Sequence, residues 1–252
     1  MNKRRMKNEA LIAPFLVQPI AHRGLHDENK DENSLAAFRA AIEQRYAIEL
    51  DVHLSKDGQL IVVHDSSLER VTGQSGVVEE MELNKIRLFT LRNSGEKLPL
   101  LSEVLETING RVPLLIELKV SKNRVLLADA TIACLARYKA KTMIAIQSFD
   151  PLVMKYLRKA YPKAYAYGQL ASRDIGENQP RYVHFLFNTM LVNWISQPNF
   201  AAYDINYLPK CLIKRLRRKM PVLTWTVDNE KKLQLAKKVA DNIIFERLNP
   251  AK

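Results

Sequence analysis

Cysteine is scarce in this chain of 252 residues, which contains only Cys134 and Cys211. The two lie far apart in the sequence and form no CxxC pair. This spacing argues against a disulfide framework and a structural zinc site, and it is typical of a protein in a reducing compartment. The sequence also lacks the glycine patterns of P-loop and dinucleotide-binding proteins and the GxSxG motif of serine hydrolases. Those protein classes are therefore not expected.

Long apolar runs are missing as well, and none approaches the length of a membrane-spanning helix. At the N-terminus, residues 10–17 are apolar, but they include Pro14 and lack a small-x-small cleavage site. Residues 1–18 are therefore expected to be a basic N-terminal segment of a cytoplasmic protein, able to touch a membrane surface, rather than a cleaved signal peptide.

Acidic residues are outnumbered by basic ones, 27 against 39, so that the net charge is +12. Such a charge favours anionic partners, namely phosphate-bearing substrates, nucleic acid or an acidic membrane surface. The Lys and Arg residues are spread along predicted helices and no nucleic-acid-binding motif occurs, so nucleic acid is not expected to be a partner. Peripheral contact with an anionic membrane stays open, and the sequence carries no signal for an oligomeric state.

Predicted strands and helices alternate from residue 19 to the end of the chain. Eight strands belong to this alternation: residues 19–23, 47–53, 114–119, 142–149, 164–170, 201–207, 222–227 and 242–246. Residues 60–64 are the return strand of a β-hairpin. This pattern predicts a (β/α)8 TIM barrel with the hairpin as an excursion after the second strand. No Pro-, Gly- or Ser-rich linker divides the sequence, so a single domain over residues 1–252 is expected.

The hairpin turns at Asp57-Gly58, a pair typical of two-residue turns. With such a turn, Val52 pairs with Val63, and Asp51 lies opposite His64. One face then carries Glu49, Asp51, His53, Val62 and His64, and the other carries Leu50, Val52, Leu54, Ile61 and Val63. Two carboxylates and two imidazoles on one face indicate a metal or anion site, although a solvated face with an ordinary Asp–His pair fits the same stretch.

Active sites of (β/α)8 barrels lie at the C-terminal ends of the strands. Two of these predicted ends carry three carboxylates: Glu49, Asp51 and Glu117. Their oxygen atoms suit one hard divalent cation, Mg2+ or Ca2+. Lys119 faces the same side as Glu117, where it is either a structural partner of the carboxylates or a contact for phosphate.

Two histidines, His22 and His64, are predicted on neighbouring elements beside the carboxylates, which suits paired general acid and base roles. Arg23 offers the bidentate fork that phosphate oxygens favour, or else it forms a salt bridge to Glu49 or Glu32. These alternatives stay open from the residues alone.

Other polar residues give weaker signals. The remaining histidines show no partner pattern and are expected in loops or at the surface: His26, His53 and His184. A basic run over residues 210–219 is expected to be either the solvated face of a helix or a membrane contact.

Eight short motifs follow one another in the order His22-Arg23-Gly24, Glu32-Asn33-Ser34, Glu49-Leu50-Asp51-Val52, Lys56-Asp57-Gly58, Val63-His64-Asp65, Ile116-Glu117-Leu118-Lys119, Gln147-Ser148-Phe149 and Trp225-Thr226-Val227. This combination resembles the glycerophosphodiester phosphodiesterase family of the PLC-like phosphodiesterase superfamily, over essentially the whole chain. The resemblance implies a (β/α)8 barrel that uses one divalent cation to hydrolyse glycerophosphodiesters to glycerol 3-phosphate and an alcohol.

The resemblance also implies roles for individual residues. The implied metal ligands are Glu49, Asp51 and Glu117, with Glu32 as a further ligand or a group behind them. The implied acid–base pair is His22 and His64, in an order that stays open. Groups that would neutralise the phosphodiester are Arg23 and Lys119. Groups that would support the ligands or bind substrate are Asn33, Gln147 and Trp225.

Two positions depart from the family pattern. Asp31 stands where the family usually has Pro before the Glu-Asn pair. Glu246-Arg247 stands where the last strand usually ends in Thr-Asp. Neither departure removes a residue of the implied site.

Two other functions fit the same residues. One is hydrolysis of lysophospholipids or of another phosphodiester at a membrane surface, which the basic charge and the N-terminal segment favour. The other is a non-catalytic scaffold that binds phosphate. The scaffold is the weaker hypothesis, because it has no need of the unpaired buried charge that the carboxylates bring.

Overall fold

A computed structural model gives the structure of residues 3–174, 180–208 and 210–250. In this described part the strands are β1 (Ile20–Ala21), β2 (Ala47–Leu54), β3 (Leu60–Val62), β4 (Leu114–Leu118), β5 (Ile144–Ser148), β6 (Ala166–Ala171), β7 (Phe200–Asp204), β8 (Val222–Val227) and β9 (Asn242–Phe245). The helices are α1 (Lys3–Ile12), α2 (Pro14–Val17), α3 (Leu35–Glu43), α4 (Glu69–Thr72), α5 (Leu83–Ile86), α6 (Leu101–Ile108), α7 (Arg124–Ala136), α8 (Pro151–Ala160), α9 (Arg181–Asn188), α10 (Asn193–Ser196), α11 (Lys210–Arg217) and α12 (Glu230–Val239). Short 3-10 helices occur at Val78–Glu80, Lys141–Met143 and Ile205–Tyr207.

Strands and helices alternate as the sequence predicts, and the fold class is a (β/α)8 barrel with β3 as the extra strand. The chain divides into two compact units. Ala21–Ile144 form the central unit, and the described residues before and after it form the terminal unit. That residues 1–252 form a single domain stays a prediction, and residues 1, 2, 175–179, 209, 251 and 252 of that range lie outside the described part.

In the central unit, β2 pairs in parallel with β4, so that Asp51 lies beside Glu117. All eight residues of β2 and all five of β4 are buried. The helix that leads into β2, α3, begins after Ser34, whose hydroxyl accepts a hydrogen bond from the backbone N–H of Ala37 at 3.1 Å. This cap satisfies one of the N–H groups that a helix start leaves without a partner.

The hairpin of β2 and β3 exists, but its predicted register is wrong by one residue. Val52 pairs with Val62, not with Val63. The loop holds three residues, 56–58, instead of two. Gly58 takes a left-handed backbone conformation with φ of 81°, which suits the third residue of such a loop.

The corrected register changes which residues of β3 share a face with the carboxylates. Ile61 pairs with His53, so Ile61 and not Val62 lies on that face. The backbone N–H of Val63 donates to the carbonyl oxygen of Asp51 at 3.1 Å. His64 follows the end of β3, so the sheet itself does not set its position.

The segment between β3 and β4 folds around a hydrophobic cluster of its own. It contains α4, α5, α6 and the 3-10 helix Val78–Glu80. The buried members of the cluster are Ile61, Val63, Leu68, Val71, Val78, Ile86, Leu91 and Leu98. The excursion after the second strand is therefore a packed part of the central unit.

In the terminal unit, β5 to β9 pair in parallel in chain order. Two of its helices begin at residues whose side chains accept backbone N–H groups. Asp150 accepts from Leu152 at 2.8 Å before α8, and Asn229 accepts from Lys232 at 3.0 Å before α12. The predicted strand 201–207 ends at Asp204, because its carboxylate accepts the N–H of Asn206 at 2.9 Å and opens a 3-10 turn.

The N-terminal segment forms helices α1 and α2, which the sequence analysis did not predict. Asn8 is 6% exposed, and its amide donates to the carbonyl oxygen of Lys219 at 3.3 Å. Arg5 forms an ion pair with Asp241 at 3.0 Å. α1 is therefore packed against the C-terminal part of the same unit. Among the described helices, none has the length and apolar character needed to span a bilayer.

Asp31, one of the departures from the family pattern, joins two loops of the central unit. Its carboxylate accepts hydrogen bonds from the backbone and the side chains of Asn93 and Ser94, at 2.7–3.2 Å. Asp31 is 8% exposed. The side chain of Asp31 thus fixes the loop through hydrogen bonds, whereas a proline at this position would restrict only its own backbone φ angle.

We expect Asp31→Ala to lower the free energy of unfolding by about 2–3 kcal/mol, because the four donors of Asn93 and Ser94 lose the buried carboxylate that accepts from them. Urea denaturation of the purified protein measures the change. Glu28→Ala, which removes an exposed carboxylate from the same loop, is the control and should leave stability nearly unchanged. Equal loss of stability in the two variants would contradict the assignment.

Candidate active site

Three carboxylates of the central unit lie together on one face of the sheet. Asp51 pairs with Glu117, and Glu49 lies two residues before Asp51 on the same side of β2. All three are buried, and one oxygen atom from each lies within 4.8 Å of the others. Three buried carboxylate oxygens are a donor set for a hard divalent cation, so the residues present fit the predicted metal.

The negative charges of this group oppose one another. Burial, followed by the charges of Asp51 and Glu117, raises the pKa of Glu49 well above its ordinary value. Burial also raises the pKa of Glu117. Burial opposes the charge of Asp51 too, but Lys119 and Arg23 outweigh it and lower the pKa of Asp51. The repulsion within the group favours binding of a cation.

Two basic side chains border the carboxylates. Nζ of Lys119 lies 2.9 Å from Oε1 of Glu117 and 3.3 Å from Oδ1 of Asp51. Nε of Arg23 lies 3.5 Å from Oδ2 of Asp51, and the backbone N–H of Arg23 donates to Oε2 of Glu49 at 3.2 Å. Lys119 is therefore a structural partner of the carboxylates, and contact of either side chain with phosphate stays a prediction.

Asn33 holds Asp51 in place. Its Nδ2 donates to Oδ2 of Asp51 at 2.9 Å, and its backbone N–H donates to the carbonyl oxygen of Arg23 at 2.9 Å. Arg23 and Asn33 both adopt φ of 55°, and Gly24 between them adopts 82°. A Cβ atom on Gly24 would lie 2.9 Å from that of Ala37, so the turn needs glycine for its close approach to α3.

Glu32 is held by two arginines. Its Oε1 accepts from Nη1 of Arg23 at 2.8 Å and from Nη2 of Arg70 at 2.7 Å, while its Oε2 accepts from Nη1 of Arg70 at 2.9 Å. Burial opposes the charge of Glu32, but the two arginines outweigh it and lower its pKa. These contacts are those of a group behind the ligands, and Glu32 is not part of the three-carboxylate group.

Arg70 extends this network to His64. Its Nε donates to Oδ2 of Asp65, and Oδ1 of Asp65 lies 2.6 Å from Nδ1 of His64. Burial lowers the pKa of His64, aided by the charges of Lys119 and Arg23 and opposed by that of Asp51. Sequence reasoning missed Arg70, because it belongs to the short helix α4 and to none of the quoted motifs.

His53 was expected in a loop or at the surface, and this prediction is wrong. It is 4% exposed in β2. Its Nδ1 lies 2.5 Å from Oε1 of Glu79, and its Nε2 lies 3.1 Å from the carbonyl oxygen of His64. Burial opposes the charge of Glu79, but hydrogen bonds from His53 and Ser66 lower its pKa to about 2. His53 therefore links a charged carboxylate to the backbone of a predicted catalytic histidine.

The other predicted site residues have the following positions. His22 lies half-buried in the turn after β1. Gln147 and Trp225 belong to the terminal unit, in β5 and β8. Oε1 of Gln147 and Nε1 of Trp225 are buried atoms without a hydrogen-bond partner in the described part of the chain. Their binding of substrate stays a prediction.

A sequence model of the glycerophosphoryl diester phosphodiesterase family matches residues 22–248, a span that contains every predicted site residue. The chain belongs to this family. It is therefore an enzyme, a phosphoric diester hydrolase, as the ordered motifs predict.

Individual relatives agree with this assignment. The chain is 29% identical over 244 residues to a glycerophosphodiester phosphodiesterase of Caldanaerobacter subterraneus subsp. tengcongensis, covering 90% of this chain and 93% of that protein. It is 34% identical over 122 residues to human lysophospholipase D GDPD1, covering 43% of this chain and 38% of that protein. A phosphodiesterase of Oleispira antarctica, solved in complex with the product sn-glycerol-3-phosphate, has the same fold, with a TM-score of 0.76, 22% identity, and coverage of 93% of this chain and 94% of that one.

We expect Glu49→Gln to stabilise the metal-free protein at neutral pH by about 1 kcal/mol or more, because the raised pKa of Glu49 shows that its charge is unfavourable there. The same substitution should abolish the rise in melting temperature that Mg2+ or Ca2+ produces. Thermal unfolding in EDTA and after addition of metal measures both effects. Glu43→Gln, an exposed change in α3, is the matched control. A Glu49→Gln variant that metal stabilises as well as the wild type would count against the site.

We expect His53→Ala to lower kcat about 10- to 100-fold with little change in KM, because His64 would lose the contact that fixes its backbone. Steady-state kinetics and the melting temperature are measured together, with His184→Ala in the terminal unit as the control. An unchanged kcat in a protein that is merely less stable would show that the contact serves folding alone.

Proposed function

We propose that this enzyme hydrolyses glycerophosphodiesters to glycerol 3-phosphate and an alcohol, with one divalent cation, Mg2+ or Ca2+, held by Glu49, Asp51 and Glu117. The observation that supports this most is the buried group of three carboxylates, bordered by Lys119 and Arg23, in a chain of this family. The carboxylates suit the cation, and the two basic side chains suit the phosphodiester anion.

Arg23 and Lys119 are proposed to hold the phosphate group. Nε of Arg23 is a buried donor without a hydrogen-bond acceptor in the described part of the chain. A phosphate oxygen would satisfy it, since guanidinium groups bind phosphate through paired N–H donors. When bound, the metal supplies Lewis-acid stabilisation of charge on the phosphate oxygens.

His64 and His22 are proposed as the acid–base pair. The hydrogen bond from Nδ1 of His64 to Asp65 leaves Nε2 as the atom that takes or gives a proton. Asp65, Arg70 and Glu32 would keep this ring in one orientation through their ion pairs. Which histidine acts as the acid and which as the base stays open.

The proposal extends to where the enzyme acts. We assign it to the cytoplasm and to lipid metabolism, as a hydrolase of glycerophosphodiesters derived from phospholipids, with peripheral contact to an anionic membrane. The net charge of +12 supports contact with anionic lipid. Cys134 and Cys211 are both free thiols, which agrees with a reducing compartment.

A second candidate substrate class is lysophospholipids at a membrane surface. The 34% identity to a human lysophospholipase D favours it, although that match covers only 43% of this chain. A non-catalytic scaffold that binds phosphate is less well supported, because three buried carboxylates destabilise a protein unless they bind something.

We expect glycerol 3-phosphate to be released from glycerophosphocholine and glycerophosphoethanolamine, to stop in EDTA, and to resume with Mg2+ or Ca2+. An enzyme-coupled assay of glycerol 3-phosphate measures this. His22→Ala and His64→Ala should each lower kcat about 100- to 10,000-fold, the usual contribution of a general acid or base.

His184→Ala is the control for removal of a histidine outside the site. Activity in EDTA equal to that with metal would defeat the metal-dependent mechanism. Cleavage of lysophosphatidylcholine in vesicles without any release from glycerophosphocholine would transfer the assignment to lysophospholipids. Folded, metal-binding protein without activity on either substrate would favour the scaffold.

A further inference from the structure

A second concave site lies in the terminal unit and shares no residue with the carboxylate group. Its volume is about 870 Å³, and its walls come from α1, the end of α8, the turn into α10, and α11. Six basic side chains line it: Arg4, Lys7, Arg158, Lys163, Arg215 and Lys219. No Asp or Glu is among its described lining residues. We call it the basic pocket.

Other basic side chains of the same helices pair with carboxylates. Arg5, next to Arg4 in α1, pairs with Glu9 and Asp241. Arg217, two residues after Arg215 in α11, also pairs with Asp241 at 2.9 Å. Helices α1 and α11 therefore place one set of basic side chains against carboxylates and direct another set into the pocket.

Arg158 is the least exposed cation of the basic pocket, since the other five are exposed. It is half-buried and forms no ion pair with any Asp or Glu of the described chain. Burial, followed by the positive charge of Arg4, lowers the pKa of Arg158. A guanidinium group that is partly removed from water beside another positive charge would be stabilised by an anion in the pocket.

The floor of the pocket is a fixed polar surface. Asn199 and Asn8 are buried, and Nδ2 of Asn199 donates to Oδ1 of Asn8 at 3.2 Å. Oδ1 of Asn199 accepts from the backbone N–H of Tyr167 at 3.0 Å. Asn193 lines the wall, and both polar atoms of its side-chain amide are buried without a partner in the described residues. Such orphaned groups in a native protein call for a ligand or a water.

The rim of the pocket is apolar and exposed. The side chain of Trp194 is 84% exposed, and that of Leu191 in the same wall is 41% exposed. A large aromatic residue in contact with water is unfavourable in a soluble state, but tryptophan is enriched where proteins meet the headgroup layer of a membrane. In a phospholipid the phosphate group is joined to apolar acyl chains. The cations of the cavity would face the phosphate, and the tryptophan at its edge would lie beside the apolar part.

We propose that the basic pocket binds the phosphate headgroup of an anionic phospholipid in a membrane, with Trp194 and Leu191 inserted beside it into the interfacial layer. This inference makes the proposed membrane contact specific and does not depend on the hydrolytic reaction. A concave pocket favours a single headgroup over nucleic acid, whose backbone needs an extended basic track.

The first test is flotation with vesicles of phosphatidylcholine, with or without phosphatidic acid. Arg158→Gln/Lys163→Gln should weaken binding to the anionic vesicles about 30-fold, since each Lys or Arg at such a surface contributes about 1 kcal/mol. The matched control is Lys231→Gln/Lys237→Gln on α12, which removes the same charge from exposed positions and should bind almost as the wild type does. If both double variants bound the anionic vesicles equally weakly, the pocket would not be the binding site, and the attraction would be only unspecific.

The second test follows the emission of Trp194 directly. When anionic vesicles are added, the emission maximum should shift to shorter wavelength and the emission should become less sensitive to a quencher dissolved in water. The variant Trp194→Phe should not show this change. Release of glycerol 3-phosphate from soluble glycerophosphocholine should be the same in all these variants. If inorganic phosphate displaced the protein from anionic vesicles as effectively as additional vesicles do, the proposed lipid site would instead be a site for free phosphate. If Arg158→Gln/Lys163→Gln lost binding to single-stranded RNA but still bound vesicles as the wild type does, the pocket would be a site for nucleic acid and not for lipid.

Discussion

Mutual repulsion of three buried carboxylates is the constraint around which the central unit is built. Two unit charges no more than 4.8 Å apart repel by about 3.5 kcal/mol or more at an effective dielectric constant of about 20. That is a sizeable share of the about 5–15 kcal/mol by which a domain is stable. Asp51 and Glu117 nevertheless stay side by side, because the pairing of β2 with β4 is fixed by strands that are buried over their whole length. The sheet, and not attraction between the groups, holds the donor set together.

The charges around this group form an alternating series that also orients His64. Arg23 touches both Asp51 and Glu32, Arg70 joins Glu32 to Asp65, and Asp65 meets the imidazole. Each charge thus has neighbours of opposite sign, which lowers the cost of keeping them from water. Because one series connects the carboxylates to the ring, a change in the charge of the carboxylate group would also act on the orientation of His64.

The parts of the fold that sequence predicts well are those that depend on local pattern. Strand–helix alternation predicts the barrel, and parallel strands bring Glu49, Asp51 and Glu117 to one place once the strands are found. The predicted hairpin register is wrong by one residue, because Asp57-Gly58 suits a three-residue loop as well as a two-residue one. The sequence does not predict the residues that position His53 and His64, for another reason. Glu79 and Arg70 lie in the packed excursion after β3, which has no long periodic element, so only tertiary structure brings them to the site.

Each of the two sites concentrates charges of one sign, negative in the central unit and positive in the terminal unit. In the central unit three carboxylates have two basic partners, and in the terminal unit six basic side chains line a pocket without a carboxylate. Neither concentration of like charge improves the stability of the chain alone, since each would be relieved by replacing a charged group with a neutral one. Folding energy is therefore no explanation for either. We propose instead a counter-ion from outside the chain in each case. Buried carboxylate oxygens suit a divalent cation, while guanidinium and ammonium groups beside an exposed tryptophan suit a phosphate attached to something apolar.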